Sequence, residues 1–470
     1  MKKYFFFNHT VIAGLLILSG AATSCKRLIE IPGNPPTQIT DVQQFADSAS
    51  AMTAIAGVYN YSSSYGSGGG FTFNDGYLSL CTGMSSDELL PTESDPYAQA
   101  FYSYGLTTLN SDVGSLWANP YTGVYPVNAI LTKVPLSPGL SASFKKQIVA
   151  EMKVMRAVYN FDLVNLFGDV PLITSTDYKI NSNIGRTPTD SVYDQILHDL
   201  TDAQQDLQTT YPSAGRYRPN KNVATAFLAK VHLYRKEWQA AYDAANAVIG
   251  SNIYSLESDL NNVFLDGSKE AIWQIPATGS SFVTTDAQNF LPYYPGAMPS
   301  YILTSYLVNA FEGGDQRLQQ WAGATVPYGT TTTVYYPYKY KNMYPDVTVE
   351  DFMIFRLSEQ YLIRAEAAVH LGNGSDALAD VNVVRARAGL GASTADPSDQ
   401  AAVLTAVLHE RQVELFTEWG NRWFDLKRTG TATAVLGSEK TGWQPNAALY
   451  PVPYTEMQLN PLLKQNPGYN

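Results

Sequence analysis

The chain has 470 residues, of which 45% are hydrophobic and 16% are charged, and its formal net charge is −11. The charged fraction is below the roughly 25% of typical soluble domains, and the length suggests about two or three domains. The negative balance excludes general affinity for nucleic acid and for anionic lipid head groups, because like charges repel. The 32 tyrosines suit a surface that binds neutral polar ligands, since the ring stacks while the hydroxyl stays hydrated.

The first 24 residues predict an export signal. Lys2 and Lys3 precede a mostly apolar run, residues 4–18, that is too short to span a membrane as a helix. Small residues then lead to Cys25, in a pattern that resembles a bacterial lipobox, in which the cysteine is acylated. Ordinary cleavage with an incidental cysteine is the alternative. We predict a lipoprotein signal peptide over 1–24, lipid (palmitate) on Cys25, and a Pro-rich tether over 25–40.

Apolar residues at every third or fourth position predict helices along most of the remaining chain. The clearest runs from residue 144 to 167 and ends at Gly168. Others are predicted from a capping box at Thr40 and Gln43 to about residue 59, over 191–207, and from residue 116 onward. In the last of these, the prolines at 120 and 126 are expected at kinks or ends.

Two helix pairs, residues 222–250 and 355–390, resemble tetratricopeptide units, because small and large residues alternate on them. Two long insertions separate the helical segments, at 61–110 and 276–350, and both are rich in Gly, Ser, Thr, Tyr and Phe. Long insertions in a compact protein are binding elements or disordered, and aromatic content favours order. We therefore predict a mainly α fold in which helix pairs form a scaffold and irregular insertions carry the ligand surface.

No catalytic or metal-binding motif is present. The histidines occur singly, HERQVE lacks a second histidine, and the run GSGGG has no lysine that would make it a phosphate loop. We expect no metal and no cofactor. A glycosidase needs only two carboxylates at a set separation, so the neighbouring Asp87 and Glu88 leave that alternative open, although an ion pair or capping role is favoured.

The segment 410–430, ERQVELFTEWGNRWFDLKRTG, interleaves charged and large apolar residues. Glu410, Glu414 and Glu418 share one helix face and need cations beside them. Candidate partners are Arg411, Arg422, Lys427 and Arg428 nearby, and Arg356, Arg364, Arg385 and Arg387 from the preceding helix pair. We predict a partly buried ion-pair network with a structural role. Its signature residues are Glu410, Arg411, Glu414, Arg422, Trp423, Asp425 and Arg428.

Several segments in one order resemble the SusD/RagB family of outer-membrane nutrient-binding lipoproteins. They are AEMKVMRAVYNFDLVNLFGDVPLI (150–173), RPNKNVATAFLAKVHLYRKEWQAAYDAANAVI (218–249), FRLSEQYLIRAEAAVHLG (355–372), VNVVRARAGL (381–390), the segment 410–430, and LYPVPYTEMQLNPLLKQNPGYN (449–470). The resemblance implies an N-terminal region over 41–225 and a C-terminal region over 226–470, joined in one folded unit.

The same resemblance implies a function. Such proteins are held by lipid at the outer membrane, face outward, and deliver oligo- or polysaccharide, or in some members peptide, to a SusC-like TonB-dependent transporter. No catalysis is expected. Lys26 and Arg27 stand where family members that face outward often carry acidic residues, so the chain departs from the family pattern at these two positions. A secreted glycoside hydrolase and a protein-binding helical scaffold are the competing interpretations.

No ligand-binding residue follows from a family motif, so the candidates rest on position and chemistry alone. Aromatic residues of the two insertions would stack on a sugar face, and neighbouring polar groups would bind its hydroxyls. The candidates are Asn74, Asp95, Tyr97, Phe101 and Tyr102 in the first insertion and Tyr293, Tyr294 and Trp321 in the second.

Overall fold

The structure is a computed structural model that describes residues 41–63, 76–277 and 282–469. Within these ranges the protein is mainly helical, as predicted, and has six short strands. The helices are α1 Asp41–Gln44, α2 Ser48–Ser63, α3 Leu78–Ser85, α4 Pro96–Tyr102, α5 Ser111–Lys133, α6 Ala142–Phe167, α7 Tyr178–Asn181, α8 Thr189–Asp206, α9 Lys221–Tyr234, α10 Trp238–Gly250, α11 Thr285–Phe290, α12 Ser305–Ala310, α13 Gln316–Trp321, α14 Leu357–His370, α15 Gly374–Arg387, α16 Gln400–Glu414, α17 Asn421–Arg428, α18 Ala432–Glu439 and α19 Tyr454–Leu459. The strands are β1 Leu89–Pro91, β2 Ala271–Pro276, β3 Tyr301–Leu303, β4 Ala322–Thr325, β5 Val334–Pro337 and β6 Asp351–Arg356.

Helix α6 has local signals at both ends. The Ser141 hydroxyl accepts a hydrogen bond from the backbone N–H of Phe144 at 3.2 Å, and Gly168 follows the last turn with a φ of 73°, a conformation that favours glycine. The sequence predicted one apolar stripe, but α6 is buried on several faces because α5 and α8 both pack against it. Its buried charges are paired, as in the 2.7 Å contact between Arg156 and Asp199.

The two predicted helix pairs are α9 with α10 and α14 with α15. The first pair turns at Lys236, which has a φ of 61°, and the second at Gly372, with a φ of 82°. Helix α10 packs on α14, and α16 packs on both α14 and α15, so the pairs form one continuous helical layer. Their relation to tetratricopeptide repeats stays a prediction.

Prolines 120 and 126, predicted at kinks or ends, both lie inside one helix, α5, and not at its ends. A proline inside a helix removes a backbone hydrogen bond. Tertiary packing compensates for this loss: Trp117, Val124 and Val127 of α5 are all buried. The capping residue proposed for the first helix, Thr40, lies outside the described residues.

The insertions contain more regular structure than predicted, and they pair with each other. Strand β1, from the first insertion, forms an antiparallel sheet with β3, from the second, with Leu89 opposite Leu303. Strands β4 and β5 form a hairpin within the second insertion, and β2 pairs with β6 at its base. The two segments therefore form one joined region.

A large apolar core extends from Phe45 to Leu463 and includes residues of both insertions, and a smaller second cluster lies among α14, α15 and α16. The division after residue 225 falls inside α9, which packs against α8 on one side and α14 on the other. The division into two regions and their union in one folded unit stay predictions. In the described part of the chain, we find no helix with the length and apolar character needed to cross a membrane.

Candidate functional site: an aromatic surface on a buried ion-pair network

The second insertion exposes a stacked pair of tyrosine rings. Tyr294 and Tyr328 have ring centroids 6.4 Å apart and planes inclined by 27°, and their side chains are 59% and 76% exposed. Tyr328 lies between β4 and β5, and its backbone N–H donates to the carbonyl of Gly296 at 2.9 Å. A Cβ at position 296 would lie 2.8 Å from the Tyr328 ring, so the glycine admits this close approach. Tyr293 is also exposed.

The first insertion contributes α4. The Asp95 side chain caps this helix by accepting a hydrogen bond from the backbone N–H of Tyr97 at 2.9 Å. Tyr97 is exposed. Tyr102 is half-buried, and the ammonium of Lys440 lies 4.4 Å from the centre of its ring. The Tyr306 hydroxyl donates to the carbonyl of Glu439 at 2.9 Å, so Tyr102 and Tyr306 contact adjacent residues of one segment. Burial raises the pKa of Tyr102.

Because β1 pairs with β3, these rings belong to one joined region. We call the following set the aromatic surface: Tyr97, Tyr102, Tyr293, Tyr294, Tyr306 and Tyr328.

Two predicted ligand residues are buried, which corrects their assignment. Phe101 has no exposed surface and meets the Tyr450 ring edge-on at 5.3 Å. Trp321 is equally buried, and its indole N–H donates to the carbonyl of Leu260 at 3.0 Å. Neither ring offers a face to a ligand in this structure, because both serve as core residues beneath the insertions. Asn74 and Cys25 lie outside the described residues.

The three glutamates of the 410–430 segment lie in a buried ion-pair network. Arg317 contacts Glu410 at 2.6 Å and Glu414 at 3.0 Å. Arg356 pairs with Glu414 and, at 2.8 Å, with Glu418. All five side chains are buried. The like-charged glutamates are therefore separated by guanidinium groups, as the spacing requires.

Two further cations close this network. Arg387 pairs with Glu414, and Lys339 pairs with Glu418. The Lys339 ammonium also donates to the carbonyl oxygens of Glu414 at 2.9 Å and Phe416 at 2.8 Å. Burial lowers the pKa of Lys339 to about 8, although Glu418 favours its charged form.

The carboxylates respond to this environment in opposite directions. Burial opposes the ionisation of Glu414, but the guanidinium groups around it outweigh burial and hold its pKa well below the usual range. Burial raises the pKa of Glu410, and Arg317 only partly offsets it. The difference follows from the number of cations that each carboxylate contacts.

Helix α17 carries a second group of ion pairs. Arg411 contacts Asp425 at 2.7 Å, and Arg428 contacts Asp425 at 2.8 Å and also pairs with Glu366. Burial opposes the ionisation of Asp425, but the two arginines outweigh it and lower its pKa to about 2. Trp423 is buried beside them.

Arg422 connects this segment to the first insertion. Its guanidinium contacts the buried Asp87 carboxylate at 2.6 Å. The neighbouring Glu88 accepts a hydrogen bond from the backbone N–H of Thr417 at 3.2 Å. Burial and the nearby Asp87 raise the pKa of Glu88 to about 8. The pair therefore takes part in structural contacts just before β1.

Sequence reasoning missed Arg317 and Lys339 in the network and Tyr328 and Tyr306 on the surface. A signal for the cations exists: residues 276–350 contain only three Lys or Arg, and an isolated charge in an aromatic segment indicates a buried partner. Of the cations proposed for the three glutamates, Arg356, Arg385 and Arg387 lie beside them. The other five have other partners: Arg364 pairs with Asp380, Arg411 and Arg428 with Asp425, Arg422 with Asp87, and Lys427 donates to the carbonyl of Asn165. No group of His, Cys, Asp or Glu suited to a metal ion occurs among the residues described.

Comparisons with known proteins agree with this architecture. Residues 261–469 match the model of the SusD family, and residues 80–233 match a family described as "Starch-binding associating with outer membrane". A SusD-like protein of Formosa agariphila is 24% identical over an alignment of 527 positions, gaps included, that covers 100% of both chains. The starch-binding protein SusD of Bacteroides thetaiotaomicron is 33% identical, over 27% of this chain and 22% of its own.

Solved structures share the fold. A laminarin-binding SusD-like protein is 26% identical with a TM-score of 0.77, over 90% of this chain and 100% of its own. A SusD superfamily protein of Bacteroides vulgatus has a TM-score of 0.78 at 20% identity, with the same coverage, and shows the fold alone. Fold and insertions thus define a mainly helical protein of the SusD-like class. The chain belongs to the SusD/RagB family.

Proposed function

We propose that the chain is a glycan-binding protein that holds oligo- or polysaccharide at the aromatic surface. The observation that carries the proposal is the stacked, exposed pair Tyr294 and Tyr328. Solvent-exposed rings held in fixed positions suit the apolar faces of sugar rings, and their hydroxyls bind sugar hydroxyls. The names of two relatives, one starch-binding and one laminarin-binding, support a glycan as the ligand.

The remainder of the proposal concerns place and partner. We propose that lipid on Cys25 holds the protein at the outer membrane, facing outward, and that bound glycan passes to a SusC-like TonB-dependent transporter. The description of the second matching family, which names association with the outer membrane, supports this location. We propose no catalytic step, because the network carboxylates are engaged by cations and the aromatic surface needs no reactive group.

Calorimetry of the purified protein with laminarin and with amylopectin tests this proposal, with the mixtures assayed for released sugars. We expect heat of binding without products. Burial of one aromatic side chain contributes about 1.5–3 kcal/mol, so Tyr294→Ala should weaken binding roughly tenfold or more. Tyr178→Ala, at an exposed ring of α7 outside the insertions, is the matched control and should leave affinity unchanged.

Three results would contradict the proposal. Released sugars would indicate a hydrolase. Binding of peptides with no polysaccharide bound would indicate the peptide-capturing alternative. Equal affinities for the wild type and Tyr294→Ala would place the glycan away from the aromatic surface.

A further inference from the structure

The segments around the aromatic surface contain almost no cations. No Lys, Arg or His occurs from residue 28 to 132 or from 270 to 316. These ranges include all of the first insertion and more than half of the second. Any positive charge at the surface must therefore come from the three cations of residues 317–350 or from neighbouring elements.

The three cations of the second insertion are engaged elsewhere. Arg317 and Lys339 are buried in the ion-pair network. Lys341 is half-buried, donates to the side-chain oxygen of Asn261, and lies with its ammonium 5.1 Å from the centre of the Tyr338 ring.

Cations of neighbouring elements also reach the insertions, where Arg385 pairs with Glu312 and Arg422 with Asp87, and His409 contacts the carbonyl of Ala310. Lys440 lies beneath Tyr102. It is buried, and its ammonium donates to the carbonyl of Met84 at 2.6 Å. Burial lowers the pKa of Lys440 to about 7, so a large fraction of it is uncharged near neutral pH. Because Lys440 is buried against the Tyr102 ring, it serves in packing and does not donate to a ligand.

Exposed charge at the surface is instead negative. Glu93 and Asp95 follow β1 directly, and both are exposed. The Glu93 carboxylate accepts a hydrogen bond from the Ser300 hydroxyl at 2.8 Å, so it lies where the two insertions join. Among the residues that the structure describes, a polyanionic ligand at this position would meet the Glu93 and Asp95 carboxylates, while the cations of the second insertion and Lys440 are engaged by other groups.

We propose that the aromatic surface selects uncharged glycans and rejects sulfated and uronate polysaccharides. This inference rests on the proposed glycan-binding function. Recognition of sulfate or carboxylate groups requires Arg or Lys, which bind them through charge-assisted hydrogen bonds. Desolvation of such groups without a partner is unfavourable. Neutral sugars need only ring faces and hydroxyl partners, which this surface supplies.

The test uses pairs of polymers that differ only in charge. Laminarin and amylopectin are each compared with their chemically sulfated derivatives, by calorimetry of the purified protein in about 10 mM salt, where the screening length is about 30 Å. We expect the sulfated form to bind at least roughly tenfold more weakly. The difference should shrink at about 150 mM salt, where screening is stronger.

A charge-reversal variant adds a second readout. Glu93→Lys replaces a negative charge with a positive one, which attracts sulfate groups. The preference for the neutral over the sulfated polymer should therefore fall by roughly three- to tenfold in low salt, as Coulomb interactions in water predict. Asp243→Lys, at an exposed carboxylate of α10, is the control and should leave this preference unchanged.

A wider panel separates failure of this inference from failure of the proposed function. Neutral mannan and galactan are added to the two neutral polymers, and alginate, polygalacturonate and carrageenan are the anionic ones. Tight binding to anionic polymers alone would overturn the selection for uncharged glycans while leaving glycan capture intact. No binding to any polysaccharide would overturn the proposed function, and this inference with it.

Discussion

Replacing Arg317 with Met tests the structural role of the ion-pair network. Arg317 is fully buried and contacts Asp315 at 2.8 Å, Glu410 at 2.6 Å and Glu414 at 3.0 Å. Removal of one partner from a buried ion pair costs about 3–5 kcal/mol, because the remaining charge stays buried and unpaired. At about 2 °C per kcal/mol, a low value suited to a large protein, Tm should fall by roughly 6–10 °C.

The pH dependence of the variant provides an internal check. The pKa of Glu410 is already raised by burial, and loss of Arg317 raises it further. A carboxyl group whose folded pKa exceeds its unfolded value stabilises the fold below the unfolded pKa, and this stability is lost as pH rises through the folded pKa. The deficit of Arg317→Met relative to the wild type should therefore be smaller at pH 5 than at pH 7.5.

Differential scanning calorimetry of the variant and of a matched control decides the question. Lys146→Met removes a cation from an exposed ion pair, 3.0 Å from Asp206, with the lysine side chain 68% exposed. Exposed pairs contribute about 0–1 kcal/mol, so Tm should change little. Equal decreases in Tm for Arg317→Met and Lys146→Met would refute the idea that the buried network stabilises the fold more than an exposed ion pair does.

Two further predictions concern the contact between the 410–430 segment and the first insertion. Arg422→Ala leaves the Asp87 carboxylate buried without its main cation, so Tm should fall by several degrees. The protein that remains folded should bind glycan with unchanged affinity. Loss of binding at unchanged Tm would contradict a structural role for Arg422. Glu88→Gln removes a carboxyl with a pKa of about 8 that loses stability as pH rises through that value. The variant should therefore gain Tm relative to the wild type at pH 9 but not at pH 6, as thermal scans at both pH values would show, and the same gain at both would refute the ionisation argument.

The helices could be predicted because their signals are local. The spacing of apolar residues and the glycine at 168 predicted a helix over residues 144–167, and α6 runs from Ala142 to Phe167. The strands could not be predicted in this way. Strand β1 has three residues, too few to show an alternating pattern of apolar and polar side chains. Its partner β3 begins more than 200 residues later, so no hairpin turn in the sequence indicates the pairing.

The candidate site was only partly predictable for a different reason. Trp321 and Tyr294 lie in the same aromatic-rich insertion, but one is a buried core residue and the other a solvent-exposed ring. Composition cannot separate these two environments. Tyr328 reaches Tyr294 only because a glycine with positive φ admits its ring, a contact between separate loops that no local pattern shows.

The buried network connects the helical scaffold to the two insertions. Arg317 and Lys339 belong to the second insertion, and Asp87 to the first, yet all three pair with residues between 410 and 422. Apolar packing alone would bury these loops but would not fix their register, whereas ion pairs with defined geometry penalise any displacement that leaves a charge unpaired. The charged segment thus stabilises the packing of both insertions on the helical scaffold, beneath the rings of the aromatic surface.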